Sequence, residues 1–165
     1  DKLQTSLESG NHKKLLDLVG ERAGVTKTWF EPGEPVDESS ITGTIRPLFD
    51  GRFVMHEYRS SFQGQPFEGI AIYGHHLKTG SFECAWVDTF HMGTGIMFSE
   101  GEKDGPFYDV LGSYQATPAN PERWGWRTRI EARNENEIII TAFNITPARE
   151  EMKGTETTYR RTKMG

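Results

Sequence analysis

Cysteine is nearly absent from this chain, with Cys84 the only one in 165 residues. A single cysteine excludes an intrachain disulfide and any metal cluster built on several thiolates. Its neighbours Ala85 and Trp86 predict a buried, inert thiol rather than a reactive one. Long apolar runs are missing too. No stretch reaches the roughly 20 residues of a membrane-spanning helix. No basic, apolar, small-residue pattern of a secretion signal opens the sequence, so the cytoplasm is the expected location and no membrane partner is expected. Positive charge is in deficit, with 19 Lys and Arg against 24 Asp and Glu for a net charge of -5, which argues against a nucleic-acid partner. Metal and cofactor motifs are also lacking. There is no HExxH spacing, and the adjacent His75 and His76 would point to opposite sides of an extended segment. Gly93-Thr94-Gly95 has too few glycines, and no helix after it, to cradle a phosphate. No GxSxG nucleophile motif occurs. The expectation is therefore no metal and no cofactor.

Helical periodicity is confined to the first 20 residues. Asn11 is placed to cap a short helix carrying Leu15, Leu16, Leu18 and Val19, with Gly20 as its stop, and Leu3 and Leu7 hint at an earlier turn. After Gly20, short β-rich runs alternate with turn residues such as Asp50-Gly51, Gln63-Gly64, Thr79-Gly80 and Asn134-Glu135-Asn136. Strands are predicted over 25–30, 39–47, 52–62, 67–74, 81–89, 94–100, 108–115, 124–134, 137–146 and 156–162. Without helices to cross over between parallel strands, Rossmann and TIM architectures are disfavoured. The predicted fold is all-β: one domain over 1–165, an antiparallel up-and-down barrel of about ten strands preceded by a short N-terminal helical segment at 1–20. A two-sheet sandwich is the alternative.

Alternation within the strands sorts side chains to two faces. Phe82, Cys84, Trp86 and Asp88 share one face; Trp124, Trp126, Thr128 and Ile130 share another, opposed by Arg123, Arg127, Arg129 and Arg133. The strand at 52–62 offers Val54, His56, Tyr58 and Phe62 on one side. A carboxylate beside Trp86 at a barrel end would be partly desolvated, which makes Asp88 the candidate general base or ligand anchor. The competing reading is that Asp88 accepts hydrogen bonds from the turn that follows it. His91 lies in that turn and is the candidate proton shuttle, with an ordinary loop histidine as its alternative. His56, alone in a strand, reads as a packing or hydrogen-bonding residue rather than a haem ligand.

The segments "GRFVMHEYRSSFQGQPFEGIAIYG", "AWVDTFHMGTGIMFSEG", "GSY", "WGWRT", "FNITP" and "ETTYRR" occur in order. Together they resemble the bacterial domain family of unknown function DUF1579 over most of the chain. The resemblance implies a lipocalin-like (calycin) β-barrel and no established activity.

Three functions compete at this point. In the first, an apolar or amphipathic small molecule lies against Phe82, Trp86, Trp124, Trp126 and Tyr159, with Asp88, His56 and Tyr58 at its polar end. That reading expects a cavity of roughly 300 Å3 or more. The second is an enzyme using Asp88 and His91, with Arg127 or Tyr58, for acid–base chemistry. The third is an oligomerising module, a homodimer through outward-facing Ile70 and Ile72 or Ile138 and Ile140.

Overall fold

The computed structural model describes residues 1–162. Two helices, α1 (Lys2–Ser9) and α2 (Asn11–Leu16), precede ten strands. These are β1 (Gly20–Thr28), β2 (Asp37–Leu48), β3 (Phe53–Phe62), β4 (Gln65–His76), β5 (Ser81–Asp88), β6 (Met97–Glu100), β7 (Asp109–Thr117), β8 (Asn120–Ala132), β9 (Glu137–Ile145) and β10 (Glu151–Arg161). Each strand pairs antiparallel with its chain neighbour, and β1 pairs with β10 from Arg22↔Arg161 to Thr28↔Thr155. The sheet is thus a closed barrel with no free lateral edge along most of its wall. The sandwich alternative is excluded by that closure.

Alternation places the expected apolar faces inside. Val54, Ile41, Ile45, Tyr73, Phe82, Val110, Ile130, Ile138 and Tyr159 form one buried cluster. Leu15 and Leu18 join it from the N-terminal segment, so the helices cover the end of the barrel where β3 begins and β4 finishes. Gly51 makes this contact close: its φ of +90° suits glycine, and a Cβ there would lie 2.9 Å from the Leu7 side chain.

Several boundaries differ from expectation. There are two helices, and α2 starts after Gly10 with no side-chain cap. Asn11 is its first residue, and its side chain is instead 3.1 Å from His75 Nε2. Gly20 begins β1 rather than only stopping a helix, because pairing with β2 on one side and β10 on the other holds Gly20–Gly24 extended despite weak local β propensity. β6 starts three residues later than predicted, since Gly95 N–H bonds the Met92 carbonyl in the preceding loop. Ile138 and Ile140 face inward, Ile138 in the core, so they offer no outer patch. Ile70 faces out and is 38% exposed.

The β6–β7 seam is the weakest part of the wall, with pairing only at Ser99↔Gly112 and Glu100↔Leu111. It lies beside the loop that follows Asp88.

Candidate functional site: a roofed chamber inside the barrel

Asp88 ends β5 with its carboxylate turned inward and fully covered. Its Oδ2 accepts from the His91 backbone N–H (3.0 Å) and stands 2.9 Å from His91 Nδ1; Oδ1 accepts from the Met92 N–H (2.6 Å). Burial alone would raise its pKa. The bonds from the His91 ring, the Met92 amide and the His91 amide outweigh that and hold it below the ordinary carboxylate value. Asp88 therefore organises the loop over 89–96.

The loop so fixed carries His91 over the barrel interior. Its ring lies 5.6 Å from Trp86 and 5.5 Å from Trp126 by centroids. Trp86 and Trp126 are nearly parallel, at 5.7 Å and 12°. Phe67 meets His91 edge-on, and Phe90, Phe62 and Phe30 continue the row of rings outward to the exposed rim. These rings form a roof. Trp86 Nε1 donates to the Tyr58 hydroxyl at 2.7 Å, tying the roof to β3.

Under the roof is a chamber of about 90 Å3. One wall is aromatic, with His56, Tyr58, Tyr73 and Trp86; the other carries the hydroxyls of Thr26, Thr28, Thr128, Thr155 and Thr157. No Asp, Glu, Lys or Arg lines it. His56 is 4% exposed, with Nδ1 3.1 Å from the Tyr73 hydroxyl and Nε2 2.8 Å from that of Tyr159. Burial, with a lesser push from the charge of Arg22, lowers its pKa to about 3, so the ring is neutral. Burial likewise raises the pKa values of Tyr58 and Tyr73 and pushes the Cys84 thiol up to about 12. Tyr58, Tyr73 and Cys84 thus hold their protons at neutral pH and His56 stays unprotonated.

The chamber is much smaller than the expected 300 Å3 because the rings fill the barrel bore. Glycines let them in. A Cβ on Gly43 would stand 2.4 Å from the Tyr159 hydroxyl, one on Gly69 2.3 Å from that of Tyr58, and one on Gly154 3.1 Å from the Trp126 ring. His56, Tyr58, Trp86, Trp126 and His91 are brought together on the chamber. Four expected ligand contacts are not. Phe82 packs with His75, Phe107 and Tyr108 in the core towards the opposite end. Trp124 lies above the last β8–β9 pair, Gly125↔Ile145, beside Tyr114, and lines a hollow with Phe98 and Ile145. Tyr159 stands behind His56, fully buried and off the chamber wall. Asp88 borders a separate, more open groove of about 990 Å3. Arg127 sits on the outer wall, bound to Asp109 and Glu151, so it takes no part in the chamber.

Tyr73 and the threonine wall were missed as site residues. The signal for the latter was present: Thr26 and Thr28 alternate on β1, and Thr155 and Thr157 on β10, at the two-residue period of an inward face. Thr26 and Thr157 are 3.0 Å apart in a hydroxyl–hydroxyl bond across that junction.

Among the described residues, no group of three or more His, Cys, Asp or Glu side chains could hold a metal ion. Among the same residues, no helix is long and apolar enough to cross a membrane. The fold and the chamber define a closed ten-stranded antiparallel barrel with a small, aromatic-roofed interior lined by no Asp, Glu, Lys or Arg. The family model described as "Protein of unknown function (DUF1579)" matches residues 8–161, and the chain belongs to that family. A lipocalin-like description fits the barrel. No curated protein matches the sequence.

Proposed function

We propose that this protein binds a compact, uncharged small molecule inside the barrel, beneath the roof of Trp86, Trp126 and His91. The observation that supports it is the chamber itself: a largely apolar bore with a few polar groups converging on one space and no Asp, Glu, Lys or Arg on its wall whose hydration a neutral guest would have to displace. Its size limits the guest. A cavity of roughly 150 Å3 holds benzene, so about 90 Å3 takes something smaller unless the roof shifts. The thin β6–β7 seam and the single carboxylate holding the loop make the roof the part best suited to shift. Native mass spectrometry of protein purified without denaturation tests the reading directly. A retained mass, lost on filling the chamber by Ala142→Leu or on unfolding, supports it. Absence of a retained mass, together with no response of the roof tryptophans to any small neutral solute, sinks it.

The enzyme reading has less to rest on: both Asp88 oxygens accept backbone amides of the loop, and the contact that favours it is the His91 ring 2.9 Å from Oδ2. The oligomeric reading keeps one observation: Ile70 pairs with Val87 on the outer wall, exposed at 38% and 37%. Light scattering that gives a monomer at high concentration would remove it.

A further inference from the structure

Counting hydrogen-bond protons in the chamber narrows the guest. The Trp86 indole is a donor only, so in its 2.7 Å contact Tyr58 must accept. Tyr58 keeps its own hydroxyl proton, for which no acceptor stands within reach among the described residues.

The Tyr73–His56–Tyr159 chain has the same surplus. A neutral imidazole has one N–H, and each tyrosine one O–H: three protons for two bonds. The proton arrangement that fits both contact lengths has Tyr159 donating to the ring. Its contact is the shorter, and the cation Arg22 acts on it, which favours lone pairs towards Arg22 and the proton towards His56. His56 Nδ1–H then donates to Tyr73 at 3.1 Å, a length suited to N–H···O. Tyr73, 3% exposed and on the chamber wall, is left with a free O–H. On the other side of the inventory, the Nδ1–H of His91 is committed to Asp88.

The buried Tyr73 donor without an acceptor is costly, and an acceptor brought by a guest relieves the cost; Tyr58, half-buried and bordering the open groove as well, offers a second donor at the chamber wall. A full charge brought into the same space meets no counter-charge and loses its hydration. We propose that the chamber selects a compact neutral molecule bearing a carbonyl-type oxygen, which accepts a hydrogen bond from Tyr58, Tyr73 or both. This rests on the chamber-binding reading above and specifies its chemical class.

The test uses three molecules of four heavy atoms and the same branched shape, all smaller than benzene: acetone as acceptor, isobutene as its apolar counterpart and isopropylamine, which is a cation at neutral pH. Each is titrated into the 165-residue chain while the indole N–H resonances of Trp86 and Trp126 are followed by NMR. One hydrogen bond at typical net strength predicts acetone binding about 3- to 10-fold tighter than isobutene. That advantage should vanish in Tyr58→Phe or Tyr73→Phe while isobutene binding is kept. Equal binding of the two neutral molecules to the wild type overturns the donor inference and leaves the chamber reading standing. So does an advantage that survives in both variants. Isopropylamine binding as tightly as acetone overturns the exclusion of charge. If none of the three binds, the donor inference is overturned, and with no retained mass in native mass spectrometry the chamber reading fails as well. Should either variant not fold, the wild-type selectivity between the two neutral molecules decides.

Discussion

His56 makes stability depend on pH in a calculable way. In the unfolded chain its pKa is the ordinary 6.5; in the fold, burial lowers it to about 3. Above pH 7 both states are neutral and the group contributes no pH dependence. Below 6.5 the unfolded chain takes up a proton that the folded chain refuses, so stability falls as pH falls, down to about 3. The slope is about 1.4 kcal/mol per pH unit for one proton, and pH 5 lies 1.5 units below the unfolded value, giving about 2 kcal/mol. For a domain of this length that is a fall in Tm of about 4–8 °C. Asp88 does not blur this window. Its folded pKa is lowered, so its contribution is present above the usual carboxylate range and is lost only as pH falls through the depressed value. His12 and His75 are also lowered, chiefly by burial, and add loss of the same sign. The His56 share is isolated by His56→Gln, which keeps a donor and an acceptor but does not titrate. Urea unfolding followed by tryptophan fluorescence at pH 8, 7, 6 and 5 should give the variant a pH 8 to pH 5 difference smaller by about 2 kcal/mol than the wild type. Parallel profiles for the two proteins would refute the reasoning, whatever their absolute stabilities.

Three other outcomes are expected. Gly24→Ala should destabilise by about 3 kcal/mol or more, seen in urea midpoints, because the new Cβ would lie 1.7 Å from the Thr158 carbonyl oxygen, a backbone atom that no rotamer change can move. Asp88→Ala should speed hydrogen exchange at the His91 and Met92 amides by at least about tenfold while the mid-strand amides of β9 stay protected; unchanged exchange would mean the loop is held by its aromatic contacts instead. Cys84, 5% exposed with its pKa pushed up to about 12, should resist thiol reagents at pH 8 and react on unfolding, and ready labelling of the native protein would contradict its burial.

Much of the architecture is legible from local pattern. All ten strands overlap the β-rich runs between turn residues, and Trp86 and Asp88 share the inward face that alternation assigns them. The reading errs where long-range pairing overrides local preference. β1 extends back through Gly20–Gly24 because two neighbouring strands hold it. β6 is shortened because Asp88 draws the residues before it into a loop. Asp88 shows the same division: its type and position suggest either a base or a turn-forming carboxylate, and only its partners decide for the turn.

By itself the sequence determined the class of fold, the inward faces and the lack of any intrachain disulfide or thiolate cluster, since these follow from residue type, a single cysteine and a period of two along the chain. The tertiary structure alone decided which aromatic rings meet, that Phe82, Trp124 and Tyr159 leave the chamber wall, and that about 90 Å3 remains. Those depend on register around a closed barrel and on how far each ring reaches past a glycine on the next strand. A chain separation such as the 103 residues between His56 and Tyr159 carries no local trace of that contact.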